Sequence, residues 1–235
     1  MLSIITINKN NALGLEKTIA SLSCLTERNF QWICIDAASN DDSMEIAKRF
    51  QAAQDVVISE RDGGIYQAMN KGIPYAIYPQ ILFLNSGDTL SGVHSSVADL
   101  HLKSNSDITL FGFQIRKQIR MPRNNAWRIW SMPTSHQAII YSKALLEREP
   151  FDVSYRYAAD FEHYLRINRK TVGQALRIDR QFTPLIVNEP YGSDANLPQV
   201  LAEYKRALIT NGYPKIWAYL VYHLKTHYLK WALKL

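Results

Sequence analysis

The stretch Gln80-Ile81-Leu82-Phe83-Leu84-Asn85-Ser86-Gly87-Asp88-Thr89-Leu90 decides the fold. Its apolar run predicts a strand that is buried on both faces, as strands of parallel sheets are. The run ends in a small polar loop, so the carboxylate of Asp88 would lie at the carboxyl edge of such a sheet, where open α/β sheets bind ligands. Position alone leaves a second interpretation, in which Asp88 caps a helix that starts near Gly92.

The segments before this stretch alternate between strand-like and helix-like patterns. Strands are predicted at 2–7, 32–36, 55–59 and 81–84, and helices at 13–25, 44–50 and 65–78. This alternation predicts an α/β fold with a mostly parallel central sheet and right-handed crossovers, flanked by helices. The second half is less regular, with strands predicted near 107–115 and 137–141 and a basic hairpin or loop between them.

Polar residues follow every predicted strand of the first half. They are Thr6 and Asn8, then Asp36, then residues 60–64, and finally residues 85–88. Because the carboxyl ends of parallel strands share one edge, the carboxylates of Asp36, Asp62 and Asp88 should converge there, where they suit a ribose, a base edge or a hard cation that bridges phosphates. The loop after the first strand has neither a Gly-x-Gly-x-x-Gly motif nor a Walker A motif.

Composition predicts one substantial core and a reducing compartment. The chain has 235 residues, of which 47% are hydrophobic, enough for a single well-buried domain. Cys24 and Cys34 stand at positions suited to small apolar residues, which predicts two reduced core thiols. The first residues lack a basic n-region and no uncharged apolar run reaches 18 residues, so we expect a cytosolic chain without a membrane span.

Charge is concentrated at the end of the sequence. Residues 205–235 contain six of the 27 basic residues and no acidic one, which leaves 21 basic residues to balance the 21 acidic residues of the rest. A neutral body argues against a nucleic-acid partner. The tail interleaves aromatic residues and lysines, as interfacial amphipathic helices do, and lysines gain from anionic lipid. The alternative is a helix that packs on the core.

Seven motifs in order resemble those of family 2 glycosyltransferases with the GT-A fold. They are residues 3–8, 35–43, 59–72, Phe83-Leu84-Asn85-Ser86-Gly87-Asp88, the Ser135-His136-Gln137 segment within 133–139, Ala158-Ala159-Asp160-Phe161, and 191–193. The nearest resemblance is to bacterial exopolysaccharide enzymes of the colanic-acid and amylovoran type. It implies a Rossmann-like nucleotide-diphospho-sugar transferase domain at 1–197, with a nucleotide-sugar-binding half at 1–90 and an acceptor-side half at 91–197, followed by a helical extension at 198–235.

The resemblance also implies a donor site. Thr6, Asp36 and Asp62 would hold the base and ribose of a UDP- or GDP-linked sugar, and Asp88 would bind Mn²⁺ or Mg²⁺. Further donor-site positions are Asn8, Gly63, Gly64, Asn70, Lys71, Asn85, Ser86, Gly87 and His136. Gly87 departs from the family pattern, because many members carry a first acid there, and Gln67 departs similarly. One acid can suffice, since Mg²⁺ is held by one or two carboxylates plus substrate phosphates.

Asp160 is the general base that the resemblance implies. Its position before a helical pattern also predicts an N-cap, and the two roles are compatible. His136 has a structural and an active-site interpretation. The basic residues Arg116, Arg120, Arg123 and Arg128 either form a solvated face or contact an anionic substrate.

The function that the resemblance implies is inverting transfer to an undecaprenyl-diphosphate-linked oligosaccharide for surface polysaccharide. We expect the enzyme to be cytoplasmic and to associate peripherally with the anionic inner face of the cytoplasmic membrane. Two alternatives are a catalytically silent sugar-nucleotide-binding or scaffold subunit, and a nucleotidyltransferase that releases pyrophosphate.

Overall fold

The computed structural model describes residues 1–90, 106–115, 117–123, 128–170, 176–178, 185–187 and 196–233. The chain divides into two compact units. The first comprises Met1–Pro122, Thr134–Phe151 and Gly173–Glu189, and the second comprises Arg123–Pro133, Asp152–Val172 and Pro190–Leu235. The division at residues 197 and 198 that the sequence favoured stays a prediction.

A seven-stranded sheet organises the first unit. Its strands are β1 Leu2–Asn8, β2 Phe30–Asp36, β3 Val56–Ser59, β4 Gln80–Phe83, β6 Ile108–Leu110, β9 Ile139–Ser142 and β10 Leu176–Ile178. They lie in the order β10-β6-β9-β4-β1-β2-β3, and β9 alone among them runs antiparallel to its neighbours. The sheet is therefore mostly parallel, and the predicted fold class is confirmed.

Helices connect the strands of this sheet. They are α1 Ala12–Ser23, α2 Ser43–Phe50, α3 Ile65–Gly72 and α4 Lys143–Arg148, with short 3-10 helices at Ile73–Tyr75 and His136–Ala138. The side chain of Asn11 accepts a hydrogen bond from the Gly14 amide and so caps α1. A smaller sheet has four strands, β5 Thr89–Leu90, β7 Phe113–Ile115, β8 Gln118–Arg120 and β11 Leu185–Val187. They lie in the order β5-β11-β7-β8.

Both faces of the central strands are buried. Every residue of β1, β2 and β4 is buried, as the continuous apolar runs predicted. One face packs Trp32, Phe30 and Leu82 against α1 and α2. On another side, Phe83 contacts the rings of Tyr141 and Phe151 at 6.1 and 5.6 Å between centroids. The carboxyl edge of the sheet is therefore supported by strands that are buried on both faces.

The two thiols have different environments. Cys34 is buried in β2, and burial raises its pKa to about 12, which makes it an inert core thiol. Cys24 is exposed, so its predicted place in the core was wrong. It follows the last residue of α1 and lies off the buried stripe, which passes through Leu22 and Leu25.

The described residues of the second unit form three helices, α5 Ala159–Lys170, α6 Leu197–Thr210 and α7 Lys215–Leu233. Cation–π contacts between lysines and tyrosine rings join helices α6 and α7. Lys205 Nζ lies 4.5 Å from the Tyr219 ring, and Lys225 Nζ lies 3.9 Å from the Tyr204 ring. Burial lowers the pKa of Lys225 to about 8. The predicted C-terminal helices are confirmed, and none of the helices in the described ranges is long and apolar enough to cross a bilayer.

Candidate active site

The first three strands end level at the carboxyl edge of the sheet. Asn8 at the end of β1 pairs with Asp36 at the end of β2, and Asp36 pairs with Ser59 at the end of β3. The turn after β4 joins this row, because the Ser86 amide donates to the Ile7 carbonyl at 3.2 Å. The polar residues that the sequence places after successive strands therefore meet at one edge, as parallel topology requires.

Asp36 is the hub of a hydrogen-bond network at this edge. Its Oδ1 accepts from Asn8 Nδ2 at 2.8 Å and from the Ser39 hydroxyl at 2.5 Å, and its Oδ2 accepts from the Ser59 hydroxyl at 2.6 Å. Burial by itself would raise the pKa of Asp36, but these hydrogen bonds outweigh burial and hold the pKa below its usual value. The carboxylate is ionised at neutral pH, and its hydrogen bonds link the end of β2 to the ends of β1 and β3.

Thr18 of α1 holds the loop that follows β4. This buried hydroxyl lies 2.8 Å from the carbonyl of Asp88 and 3.2 Å from that of Asn85, and it accepts from the Gly87 amide at 3.0 Å. Ser86 adds a bond from its hydroxyl to Asn8 Oδ1 at 2.7 Å. The loop is therefore fixed to α1 and to β1 before any ligand binds. Sequence reasoning missed Thr18, because a threonine within a helix carries no functional signal.

Two side chains from the 3-10 helix before β9 contact this loop. Gln137 Nε2 donates to Asp88 Oδ2 at 3.0 Å, and both residues are buried. His136 Nε2 lies 3.2 Å from Asn85 Nδ2. The Gln137 side chain is itself held by the Ser135 hydroxyl. His136 thus lies at the predicted edge. Gln137, which sequence reasoning quoted within a motif without a role, orients the Asp88 carboxylate.

The residues of this loop fit a divalent cation that is shared with a phosphate-bearing ligand. Asp88 supplies a carboxylate, and Asn85 Oδ1 is a buried oxygen for which the described residues provide no hydrogen-bond partner. Within the described ranges, no three His, Cys, Asp or Glu residues cluster as a metal site. A cation here would therefore take its remaining ligands from the substrate and water, as Mg²⁺ commonly does.

Gly87 has a backbone reason to be glycine in this chain. Its φ is 103°, in the left-handed region that residues with side chains rarely adopt. An acid at this position would strain the loop that Thr18 holds. The departure from the family pattern is therefore built into the loop conformation.

The loop after β3 presents backbone to open space. Asp62 Oδ1 accepts from the Gly64 amide at 3.0 Å, and Gly64 has φ 136°. A Cβ built on Gly64 meets no atom within 4 Å, so a ligand could approach the main chain closely here. The amide of Gly63 donates to Gln67, which gives Gln67 a structural contact. Lys71 pairs with Glu60 at 3.0 Å.

Besides Asn8 and Asp36, two more predicted donor contacts have side chains that are occupied within the fold. The Thr6 hydroxyl is buried and accepts from Trp32 Nε1 at 3.0 Å. The Asn70 amide bonds the backbone of Phe151 twice, at 2.8 and 3.0 Å. As ligand contacts, Thr6 and Asn70 stay predictions.

Asp160 lies in the second unit, and its predicted N-cap role was wrong. Helix α5 begins at Ala159, which makes Asp160 its second residue. The amides before the helix are instead bonded by Glu203 of α6, whose Oε2 accepts from Tyr157 at 2.8 Å and from Ala158 at 2.9 Å. Asp160 Oδ1 accepts from the Phe161 amide at 2.8 Å. With the capping done by Glu203, catalysis is the remaining predicted role of Asp160.

The described basic residues of the second half have different surroundings. Arg120 is exposed in β8, Arg123 donates to Ser131 at 3.0 Å, and Arg128 Nε donates to the Tyr213 hydroxyl at 3.0 Å. Arg116, the helix expected near Gly92 and the motif at 191–193 lie outside the described residues.

Comparison with known proteins identifies the family. Residues 3–159 match the model of glycosyl transferase family 2, and the chain therefore belongs to this family. The uncharacterized glycosyltransferase Rv1514c of Mycobacterium tuberculosis is 30% identical over 177 residues, which cover 70% of this chain and 67% of Rv1514c.

Two solved structures share the fold at low sequence identity. TarS 1-349 of S. aureus in complex with UDP-GlcNAc superposes with a TM-score of 0.70 and 14% identity, covering 97% of this chain and 72% of that one. The mannosyltransferase PcManGT of Pyrobaculum calidifontis, in complex with GDP-Man and Mn²⁺, has a TM-score of 0.63 and 16% identity over 98% of this chain and 75% of its own. The protein is thus a family 2 glycosyltransferase with the architecture of GT-A enzymes.

The contact between Gln137 and Asp88 leads to a prediction for Gln137→Leu. We expect Mn²⁺-dependent affinity for a nucleoside diphosphate to fall by about 10- to 100-fold, the usual cost of losing a residue that orients a metal ligand. Titration calorimetry measures this affinity. Gln31→Leu is the control, because Gln31 is also buried and its four side-chain hydrogen bonds lie at the other end of the sheet, away from Asp88. Equal losses in both variants would contradict the orienting role.

Proposed function

We propose that the protein is an inverting glycosyltransferase that moves a sugar from a nucleoside-diphosphate sugar to a hydroxyl of a lipid-linked saccharide. The product would extend a surface polysaccharide, as the resemblance to exopolysaccharide enzymes of the colanic-acid and amylovoran type implies. The observation that carries the proposal is the loop of Asn85–Asp88, which Thr18, Asn8 and Gln137 hold at the carboxyl edge with a carboxylate at its end. Family membership supplies the reaction class.

The donor would bind along this edge. Asp88 would hold a divalent cation against the diphosphate, and the loop of Gly63 and Gly64, whose backbone is open at Gly64, would approach the nucleotide sugar. The TarS structure contains UDP-GlcNAc and the PcManGT structure contains GDP-Man with Mn²⁺, which supports a UDP- or GDP-linked donor. The cation would neutralise charge that gathers on the leaving diphosphate.

Asp160 would act as the general base. A sugar hydroxyl is a poor nucleophile at neutral pH, so a carboxylate must take its proton as the oxygen attacks the anomeric carbon. The new glycosidic bond forms as the bond to the diphosphate breaks, and the nucleoside diphosphate leaves from the opposite face. One base is enough for this inverting displacement, and no covalent sugar-enzyme intermediate is required.

Helix α7 supports a peripheral membrane location. Its exposed apolar residues include Ile216, Trp217, Leu224, Tyr228 and Trp231, and lysines are interspersed among them. Apolar side chains insert into the headgroup region while lysines are attracted to anionic lipid. We therefore propose that this helix brings the enzyme to the cytoplasmic leaflet, where an undecaprenyl-diphosphate-linked acceptor would be found.

A thermal-shift screen tests the donor proposal. UDP- and GDP-sugars are added one at a time with Mn²⁺, with EDTA as the reference. A donor present at 100 times its dissociation constant should stabilise the fold by about 2.7 kcal/mol. We expect one nucleotide series to shift the melting temperature only when Mn²⁺ is present. A panel without any Mn²⁺-dependent shift would refute donor binding.

One observation favours a second candidate, a silent sugar-nucleotide-binding or scaffold subunit. Gly87 occupies the position of a first acid and has φ 103°, which leaves Asp88 as the loop's carboxylate. The melting temperature of such a subunit would rise with a donor in the screen, but the subunit would neither hydrolyse the donor nor transfer its sugar. Slow donor hydrolysis without an acceptor separates the two candidates.

The membrane proposal predicts the behaviour of the double variant Tyr228→Ala and Trp231→Ala. These side chains are 52% and 78% exposed, so their loss should leave the melting temperature unchanged. Partition onto anionic vesicles should fall by about tenfold or more, because less apolar surface is buried in the interface. Co-sedimentation measures the partition. Leu13→Ser is the control, since Leu13 is 75% exposed on α1; an identical loss there would overturn the assignment to α7.

A further inference from the structure

The second unit contains a cavity of mixed lining and an apolar groove, and Tyr213 lines both. The cavity has a volume of about 210 Å³ and is lined by Arg128, Asn168, Asn211 and Tyr213, among others. At about 30 Å³ for each water of the liquid, it has room for a phosphate group with its water. Arg128 is the charged residue of the lining, and a guanidinium is suited to phosphate oxygens.

The groove is lined by apolar side chains. Its volume is about 350 Å³, and its lining includes Ile129, Leu208, Tyr213, Pro214, Trp217 and Val221. This volume lies within the range of small-molecule pockets, about 300–1,000 Å³. Ile129 follows Arg128 directly in the chain, so the charged and apolar linings are continuous.

Tyr213 belongs to both linings, and the end of α6 fixes its position. Gly212 has φ 74° and donates to the Ile209 carbonyl at 3.0 Å, while the Tyr213 amide donates to the Leu208 carbonyl at 3.0 Å. These two bonds define a Schellman motif, in which the residue after the glycine packs on the helix end. The Tyr213 hydroxyl accepts from Arg128 Nε. The ring therefore lines both compartments, with its hydroxyl at the guanidinium of the first.

We propose that this pair of compartments binds the phosphate-bearing end of one isoprenoid lipid, with a phosphate group at Arg128 and the first isoprenoid units of the chain in the groove beside Trp217. The inference rests on the proposed function, in which the acceptor is lipid-linked, and it assigns a site on this chain to the acceptor's carrier lipid. Charge complementarity selects the occupant. An anionic head requires the cation, and a hydrocarbon chain requires the groove.

The test uses farnesyl phosphate below its micelle concentration as the probe, with farnesol and inorganic phosphate as its separate halves. Titration calorimetry on the full chain should give an affinity for farnesyl phosphate at least about tenfold above that for either half. Arg128→Gln should weaken farnesyl phosphate binding by about 10- to 100-fold, as expected for a lost charge-assisted hydrogen bond. Trp217→Ala should weaken it by about tenfold through lost apolar contact.

Two matched variants should bind farnesyl phosphate like the natural chain. Arg123→Gln removes a neighbouring guanidinium that does not line the cavity, and Trp231→Ala removes an exposed tryptophan of α7 that does not line the groove. Equal losses with Trp217→Ala and Trp231→Ala would make α7 a general membrane surface and overturn the site. Equal binding of farnesol and farnesyl phosphate would also overturn it.

Donor binding with Mn²⁺, measured on the same samples, separates this inference from the proposed function. A chain that binds a nucleotide sugar but shows no Arg128-dependent lipid phosphate binding refutes the lipid site and leaves the transferase proposal standing. Lipid phosphate binding with the expected variant pattern, in a chain without any donor response, supports the site and refutes the transferase proposal.

Discussion

Asp160→Asn is expected to lose sugar transfer by about 10²- to 10⁴-fold while it keeps donor affinity and nearly all of its stability. The amide cannot accept a proton from the acceptor hydroxyl, and general base catalysis contributes roughly this factor. The structural cost is small, because Asp160 follows the first residue of α5 and its interaction with the helix dipole is worth about 0.3–1 kcal/mol. Transfer of radiolabelled sugar into extractable lipid measures the loss, and thermal melting measures the stability.

Glu203→Gln is the matched control for Asp160→Asn. Glu203 bonds three successive amides at the start of α5, from Arg156 to Ala158. Loss of its charge should therefore lower the free energy of unfolding by roughly 1.5–3 kcal/mol, and transfer by the folded fraction should persist. The two variants thus separate catalysis from helix stabilisation. Full transfer activity in Asp160→Asn would leave Asp160 without a catalytic role.

Asp88→Asn should abolish the Mn²⁺-dependent part of nucleoside diphosphate binding and leave the fold intact. The amide oxygen can still accept the bond from Gln137, so the loop keeps its shape, but the anionic metal ligand is gone. We expect the affinity for nucleoside diphosphate in Mn²⁺ to fall by on the order of 100-fold or more. Loss of the metal ligand itself should cost at least as much as loss of a residue that only orients it. Calorimetry with and without EDTA measures this. Unchanged Mn²⁺ dependence would remove Asp88 from the metal site.

Asp36→Asn is the comparison for Asp88→Asn, because Asp36 is buried at the same edge with a structural network. This variant should lose stability and keep Mn²⁺ dependence. The folded-state pKa of Asp36 is lowered from the ordinary value of 3.8. The ionised carboxylate therefore stabilises the fold fully above about pH 3.8, and this stabilisation is lost as the pH falls through the folded-state pKa. The stability difference between the natural chain and Asp36→Asn should therefore shrink in acid.

The first half of the fold was predictable because its signals are local. Apolar runs at β1, β2 and β4, each followed by polar residues, define parallel strands with a shared edge, and the structure confirms them. The error at Cys24 also has a local cause. The buried face of α1 runs through Leu15, Thr18 and Leu22 and continues to Leu25. Cys24 lies two positions after Leu22, about 200° around the helix from it, so it points away from that face.

The contacts that shape the site were not predictable, because they join residues far apart in the sequence. Thr18 bonds the Asp88 carbonyl across 70 positions, and Gln137 bonds the Asp88 carboxylate across 49. Glu203 likewise bonds the amides that precede α5, a capping role that the sequence favoured for Asp160. A residue pattern indicates where a polar group stands along the chain, but only the fold decides which distant group it meets.

Product analysis tests most directly the central claim that the chain transfers sugar from a nucleotide donor by displacing its diphosphate. The donor selected by the thermal-shift screen is incubated with Mn²⁺ and a lipid extract, and the released nucleotide is separated by ion-exchange chromatography. We predict release of nucleoside diphosphate in equal amount to the sugar gained by the lipid, with both lost in Asp88→Asn and Asp160→Asn. Release of pyrophosphate, or donor binding without any nucleoside diphosphate product, would contradict the claim.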